Sequence, residues 1–161
     1  MNHPGTKPIN VLLVEDDEGD VVLTREAFAE YLNNRLEVVG DGTAALAFLR
    51  GEPPYTGVPA PDLVLLDLNL PGRDGREILT EIKSDDRISH IPVVVLTTSA
   101  ADEDVLGSYK AHANAYVTKP VELDGFIAAI RQIDHFFVSV VRLPTWIRPE
   151  PRTRSHLTEF M

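Results

Sequence analysis

Polar side chains recur where short apolar runs end: the acidic run Glu15-Asp16-Asp17, then Asp67, the hydroxyl pair Thr97 and Thr98, and Lys119. Each has an ordinary use when taken alone. A carboxylate at the end of a strand often caps the next helix, a threonine fills a strand, and a lysine sits at the surface. Brought to one edge, they become a chemical set. Carboxylates that converge repel each other unless a cation or a raised pKa relieves them. Oxygen donors without thiolate or histidine select a hard ion such as magnesium, which accepts one or two carboxylates plus a phosphoryl oxygen. The chemistry expected is phosphoryl transfer onto Asp67, with Lys119 as a second cation and the Thr97 hydroxyl donating to a transferring oxygen.

The elements that must position this set follow from the pattern of the chain. Residues 9–14, 36–39, 63–66, 92–96 and 115–118 are short apolar runs of the kind expected for strands buried on both faces. Between them lie helical patterns. The first spans 18–31 with Val22, Ala27, Phe28, Tyr31 and Leu32 at roughly helical spacing, and others span 43–49, 73–83 and 102–111. The last starts near Glu122 and carries Phe126, Ile127, Ile130, Ile133 and Phe137 on one stripe. Residues 51–61, with four prolines and two glycines, form an extended loop. Alternating strands and helices predict a parallel sheet covered on both faces. In such sheets ligands gather at the carboxyl ends of the strands, where these polar residues fall.

Composition removes other classes. At 161 residues and 43% hydrophobic content the chain has the size of one domain. The absence of cysteine excludes disulfides, zinc-thiolate sites and thiol nucleophiles. Residues 1–10 lack the pattern of a signal peptide and no apolar run reaches membrane length, so a soluble cytoplasmic protein is expected, with no membrane partner. A net charge of -10 opposes DNA binding. The tail is more basic, with Arg142, Arg148, Arg152 and Arg154 against Glu150 and Glu159, but it lacks interleaved aromatics and reads as a solvated arm. Gly40-Asp41-Gly42 is too short for a dinucleotide fingerprint, and the five histidines (His3, His90, His112, His135 and His156) lie in no kinase frame.

Four segments in order resemble the receiver domains of two-component response regulators: Val11-Leu12-Leu13-Val14-Glu15-Asp16-Asp17; Pro61 to Gly75, including Leu66-Asp67-Leu68-Asn69-Leu70-Pro71-Gly72; Pro92 to Thr98; and Ala115-Tyr116-Val117-Thr118-Lys119-Pro120. The resemblance implies a flavodoxin-like (βα)5 doubly wound sheet, ordered 2-1-3-4-5, with a histidine kinase as phosphoryl donor. It assigns the phosphoacceptor to Asp67 and the magnesium ligands to Glu15, Asp16, Asp67 and the backbone carbonyl of Asn69. The phosphate-binding lysine becomes Lys119, and the switch pair Thr97 and Tyr116. The protein would then catalyse only its own phosphorylation and dephosphorylation. Glu15 stands where an aspartate is common, which lengthens the arm and keeps the charge. The family pattern also implies a cis Lys119–Pro120 peptide, while Thr98 is bulkier than the small residue often found after the hydroxyl.

The proline-rich insert, the Thr97-Thr98-Ser99 run and the stretch from Phe136 to Pro144 look like single-domain regulators serving bacterial phytochrome-type histidine kinases. Residues 1–138 are expected to form the receiver and 139–161 an arm. Phe136, Phe137, Val138, Val140, Val141, Leu143, Trp146 and Ile147 offer more apolar surface than a terminal helix hides. That predicts a homodimer through the fourth helix, fifth strand and fifth helix, with the segment from Ser139 reaching the other copy. Two alternatives compete. A haloacid-dehalogenase-type phosphatase needs an aspartate two positions after the nucleophile, where this chain has Asn69. A degenerate receiver acting only as a binding module would have no need of the full set of side chains present here.

Overall fold

In the computed structural model, which describes residues 8–31 and 34–144, the apolar runs become strands and the segments between them helices. In chain order these are β1 (Asn10–Val14), α1 (Glu18–Tyr31), β2 (Arg35–Val39), α2 (Gly42–Arg50), β3 (Leu63–Leu66) and α3 (Gly75–Ser84). They continue with β4 (Val93–Thr97), α4 (Asp102–Lys110), β5 (Ala115–Thr118) and α5 (Leu123–His135), which runs into a π-helical turn, Phe136–Val140. All pairings are parallel and the order is β2-β1-β3-β4-β5, as expected.

Side chains alternate across the sheet with period two, so the core has two halves. Leu12, Val14, Val64, Leu66, Val93 and Val95 pack with Leu46, Leu49, Ile78 and Ile82 of α2 and α3. Val11, Leu13, Leu63, Leu65, Val94 and Leu96 pack with Ala27, Phe28, Phe126 and Ile130 of α1 and α5. Strand β3, flanked by β1 and β4, is buried along its whole length.

The rim at the amino ends of the strands, here the lower rim, is tied by side chains that bond the backbone. Asn34, Asp62 and Asn114 immediately precede β2, β3 and β5. Each accepts an N–H at the start of the neighbouring strand, from Ile9, Asn10 and Val93 respectively, at 2.8 Å in every case. The Lys83 ammonium donates to the carbonyls of Ser89 at 3.1 Å and Ile91 at 2.8 Å and to Asn114 Oδ1 at 3.1 Å. At the same end of the molecule Asp85, after α3, pairs with Arg50 at 3.1 Å and Arg87 at 3.0 Å.

Two expectations shift. Val22 is 52% exposed rather than on the core face of α1; the buried face runs instead through Thr24, Ala27 and Phe28. Thr24 is tolerated there because its hydroxyl donates to the Asp20 carbonyl one turn back, at 2.7 Å. Leu143 is buried at 1% and joins the cluster containing Phe137, with Val138 and Val141 packed against it, so these side chains pack on their own domain. Trp146, Ile147 and the arginines at 148, 152 and 154 lie outside the described residues.

Candidate functional site

The carboxyl ends of the strands form the upper rim. The Glu15 N–H donates to the Val39 carbonyl at 3.0 Å and the Asp67 N–H to the Val14 carbonyl at 3.1 Å, so both acids extend the sheet ladder and point where the ladder fixes them. Glu15 and Asp67 are buried, at 3% and 6% exposure, while Asp16 is exposed. Asp17 has the capping role instead: its Oδ1 accepts the Asp20 N–H at 3.0 Å and its carbonyl the Val21 N–H at 3.0 Å. Gly75 lets α3 start against this rim. Its N–H bonds the Leu68 carbonyl at 3.0 Å, and a Cβ there would lie 2.5 Å from the Asp67 carbonyl oxygen.

Asp67 Oδ1 accepts the Asn69 N–H at 3.1 Å. Thr97 is fully buried, with Asn69 Nδ2 3.5 Å from its hydroxyl, whereas Thr98 is exposed. Lys119 enters from the far edge of the sheet. Its ammonium bonds Glu15 Oε1, Asp20 Oδ2 at 2.7 Å and Asp67 Oδ2 at 3.2 Å. The cis peptide among the described residues is Pro53–Pro54, so Lys119–Pro120 is trans, against expectation. Trans is the lower-energy form by about 0.5–1 kcal/mol. The Lys119 N–H continues the sheet to the Thr97 carbonyl at 2.7 Å, and the long side chain covers the remaining distance to the acids.

Tyr116 is half-buried with its hydroxyl donating to the Ser99 carbonyl at 2.8 Å. A chain of polar contacts runs on from there: Ser99 Oγ donates to Asp104 Oδ2 at 2.6 Å, and Arg76 pairs with Asp104 at 2.8 Å and Asp74 at 3.3 Å. Tyr116, the start of α4 and the start of α3 are thus linked.

Electrostatics separates the two buried acids. Burial, with Asp67 beside it, pushes the Glu15 carboxyl up to about 7. Burial also works against ionised Asp67, but the hydrogen bonds from Glu15 and the Asn69 N–H, together with the Lys119 charge, hold it below the usual carboxylate value. Lys119 is opposed by burial as well, and its bonds to Asp20 and Glu15 keep it above its ordinary value and therefore charged. These shifts favour the ionised form of Asp67. Carboxylate oxygens of Glu15, Asp16 and Asp67 lie within 4.8 Å of one another, an all-oxygen set that fits a hard divalent cation.

The structure therefore brings together Glu15, Asp16, Asp67, Asn69, Thr97 and Lys119, with Tyr116 at the flank. Asp20 was missed by sequence reasoning. The signal was present in the periodicity, because Asp20, Thr24 and Phe28 lie on one stripe of α1, which puts a carboxylate at the rim end of the buried face.

Comparison with known proteins agrees with this geometry. The sequence pattern of the response regulator receiver domain matches residues 11–131. Response regulator Rcp1 of Synechocystis sp. is 42% identical over 145 residues, covering 89% of this chain and 99% of that protein. The crystal structure of the phosphorylated cyanobacterial phytochrome response regulator RcpA superposes with a TM-score of 0.82 at 43% identity, covering 86% of this chain and 99% of that one. The Mn(2+)-bound form of Rcp1 superposes with a TM-score of 0.80 at 43% identity, covering 85% and 99%.

Proposed function

The chain belongs to the response regulator receiver domain family, and on that premise we propose that it accepts a phosphoryl group from a histidine kinase onto Asp67 and signals through protein–protein contact. The observation that carries this is the setting of Asp67: buried at the end of β3, 3.2 Å from the Lys119 ammonium, with its carboxylate within 4.8 Å of those of Glu15 and Asp16. The Asp67 carboxylate forms the new P–O bond as the P–N bond to the kinase histidine breaks. Lys119 meets the charge on the transferring oxygens, and the buried Thr97 hydroxyl lies beside them to donate. Glu15, Asp16, Asp67 and the Asn69 backbone carbonyl would hold magnesium, which when bound supplies positive charge against the transferring group.

Output runs through Thr97 and Tyr116. Engagement of the Thr97 hydroxyl favours the inward Tyr116, whose bond to Ser99 leads on to α4. That helix and its neighbours expose apolar side chains, with Leu106 59%, Tyr109 49%, Val121 102% and Leu123 52% exposed. This α4-β5-α5 face is where a homodimer would form. With residues 1–138 as the receiver and 139–161 as its extension, Leu143 anchors the extension to its own core, so a reach toward a second copy begins beyond Pro144. Similarity to the cyanobacterial phytochrome response regulator RcpA supports a phytochrome-type kinase as the donor.

The test is incubation with labelled acetyl phosphate and magnesium. One labile acyl phosphate per chain is expected, none in Asp67→Asn, and none when the metal is chelated. Label retained in Asp67→Asn would end the assignment. Phosphotransfer from a panel of purified histidine kinases then identifies the donor, and light scattering on the full chain reads the dimer.

A further inference from the structure

An ammonium group has three N–H donors, and the structure gives that of Lys119 three carboxylates: Glu15, Asp20 and Asp67. Two of the three belong to the acidic cluster that can hold a cation; Asp20 does not. Lys119 is only 6% exposed. If Glu15 and Asp67 turn their oxygens to a cation, the ammonium is left in a buried place with fewer acceptors, and an uncompensated buried charge is costly. Asp20 is the acceptor that stays available. It comes from α1, a separate element, and its backbone is fixed at both ends: its N–H bonds Asp17 Oδ1 at 3.0 Å and its carbonyl accepts the Thr24 hydroxyl at 2.7 Å. Its carboxylate also sits in the first turn of the helix, where negative charge is favoured.

We propose that Asp20 is a positioning residue for Lys119: it holds the ammonium at the rim when Glu15 and Asp67 release it, and so allows those two acids to serve a divalent cation and the transferring phosphoryl group. This rests on the reading of Glu15, Asp16 and Asp67 as a cation site. Without Asp20, Lys119 has no other carboxylate partner among the described contacts and stays on Glu15 and Asp67, where it competes with the cation.

A double-mutant cycle on the full chain tests this, with magnesium affinity measured by calorimetry for the wild type, Asp20→Ala, Lys119→Met and the double variant. Asp20→Ala is expected to weaken magnesium binding about tenfold, the order of effect of one hydrogen bond to a charged group. In the Lys119→Met background the same change is expected to cost less than about twofold, because there is no ammonium to hold. Asp20→Glu, which restores the acceptor on a partly exposed side chain, is expected to recover most of the loss. A wild type that takes up no magnesium would defeat the cation-site reading itself. If the wild type binds, an unchanged Asp20→Ala overturns the proposal. Equal weakening with and without Lys119 overturns it as well, because Asp20 would then act only through its own charge.

Discussion

At the lower rim Asn34, Asp62 and Asn114 each direct a side-chain oxygen to a backbone N–H at a strand start, and Lys83 directs its ammonium to two backbone carbonyls and one amide oxygen. At the upper rim Glu15, Asp20 and Asp67 direct their oxygens to a single ammonium. Both rims are polar, and both use a lysine with three acceptors. They differ in what the partner is. A backbone N–H at a strand start cannot move without moving the sheet, so the bonds from Asn34, Asp62 and Asn114 change only with the fold. Carboxylates and an ammonium on side chains can trade partners at little cost to the backbone, so upper-rim bonds can be remade while the sheet stays in place. Their charges also respond to one another, which separates Glu15, raised to about 7, from the ionised Asp67.

Substitutions can break or sharpen this contrast. The largest effect on stability is expected from Gly75→Ala, an upper-rim position that behaves like the lower rim because its neighbours are backbone. A methyl group 2.5 Å from the Asp67 carbonyl oxygen cannot be absorbed by a flexible side chain; overpacking of this kind costs about 3 kcal/mol. Denaturant unfolding should register that loss together with slower labelling. Next is Asn114→Ala, which leaves the Val93 N–H without its acceptor and removes one from Lys83. A loss of about 2 kcal/mol is expected in the same assay, the cost of an unsatisfied buried donor, with acetyl phosphate labelling unchanged. A labelling defect there would erase the distinction between the rims.

The smallest effect is a pH dependence at Asp85. Arg87 above all, with burial working the other way and Arg50 helping, holds its carboxyl down to about 2 from 3.8. A depressed folded value means the stabilisation is fully present above the unfolded value and is lost as pH falls from about 3.8 toward 2. Arg87 is well exposed, so solvent screening reduces the contribution to about 1 kcal/mol. The stability gap between wild type and Asp85→Asn should close across that window and stay constant between pH 5 and 8.

What the sequence made legible follows the same division. Strand β3 was readable as 63–66 because a strand buried on both faces is an unbroken apolar run with a sharp polar end. The acids, hydroxyl and lysine of the site were readable because each sits at such an end. Asp20 was not, since its partner lies 99 residues away and its own neighbourhood is that of an ordinary helix start. Val22 was misplaced for a related reason: with Thr24 occupying the core face, an apolar-only count of α1 rotates the stripe. The lower-rim asparagines left no trace, because one side-chain oxygen on one N–H has no periodicity. The Lys119–Pro120 geometry was carried over from a pattern, and the chain here reaches the same rim with the trans bond.

The position of β3 between β1 and β4, with β5 at the sheet edge, divides the site by timescale. Backbone amides exchange with solvent through local openings whose free energy is greatest where burial is deepest. Asp67 is carried by β3, buried along its length, while Lys119 follows β5, which is only partly buried and ends on exposed Thr118. The amides around Asp67 should therefore exchange last, and those leading to Lys119 earlier. Asp67 is then carried on the slowest-opening part of the sheet and Lys119 on one of the faster.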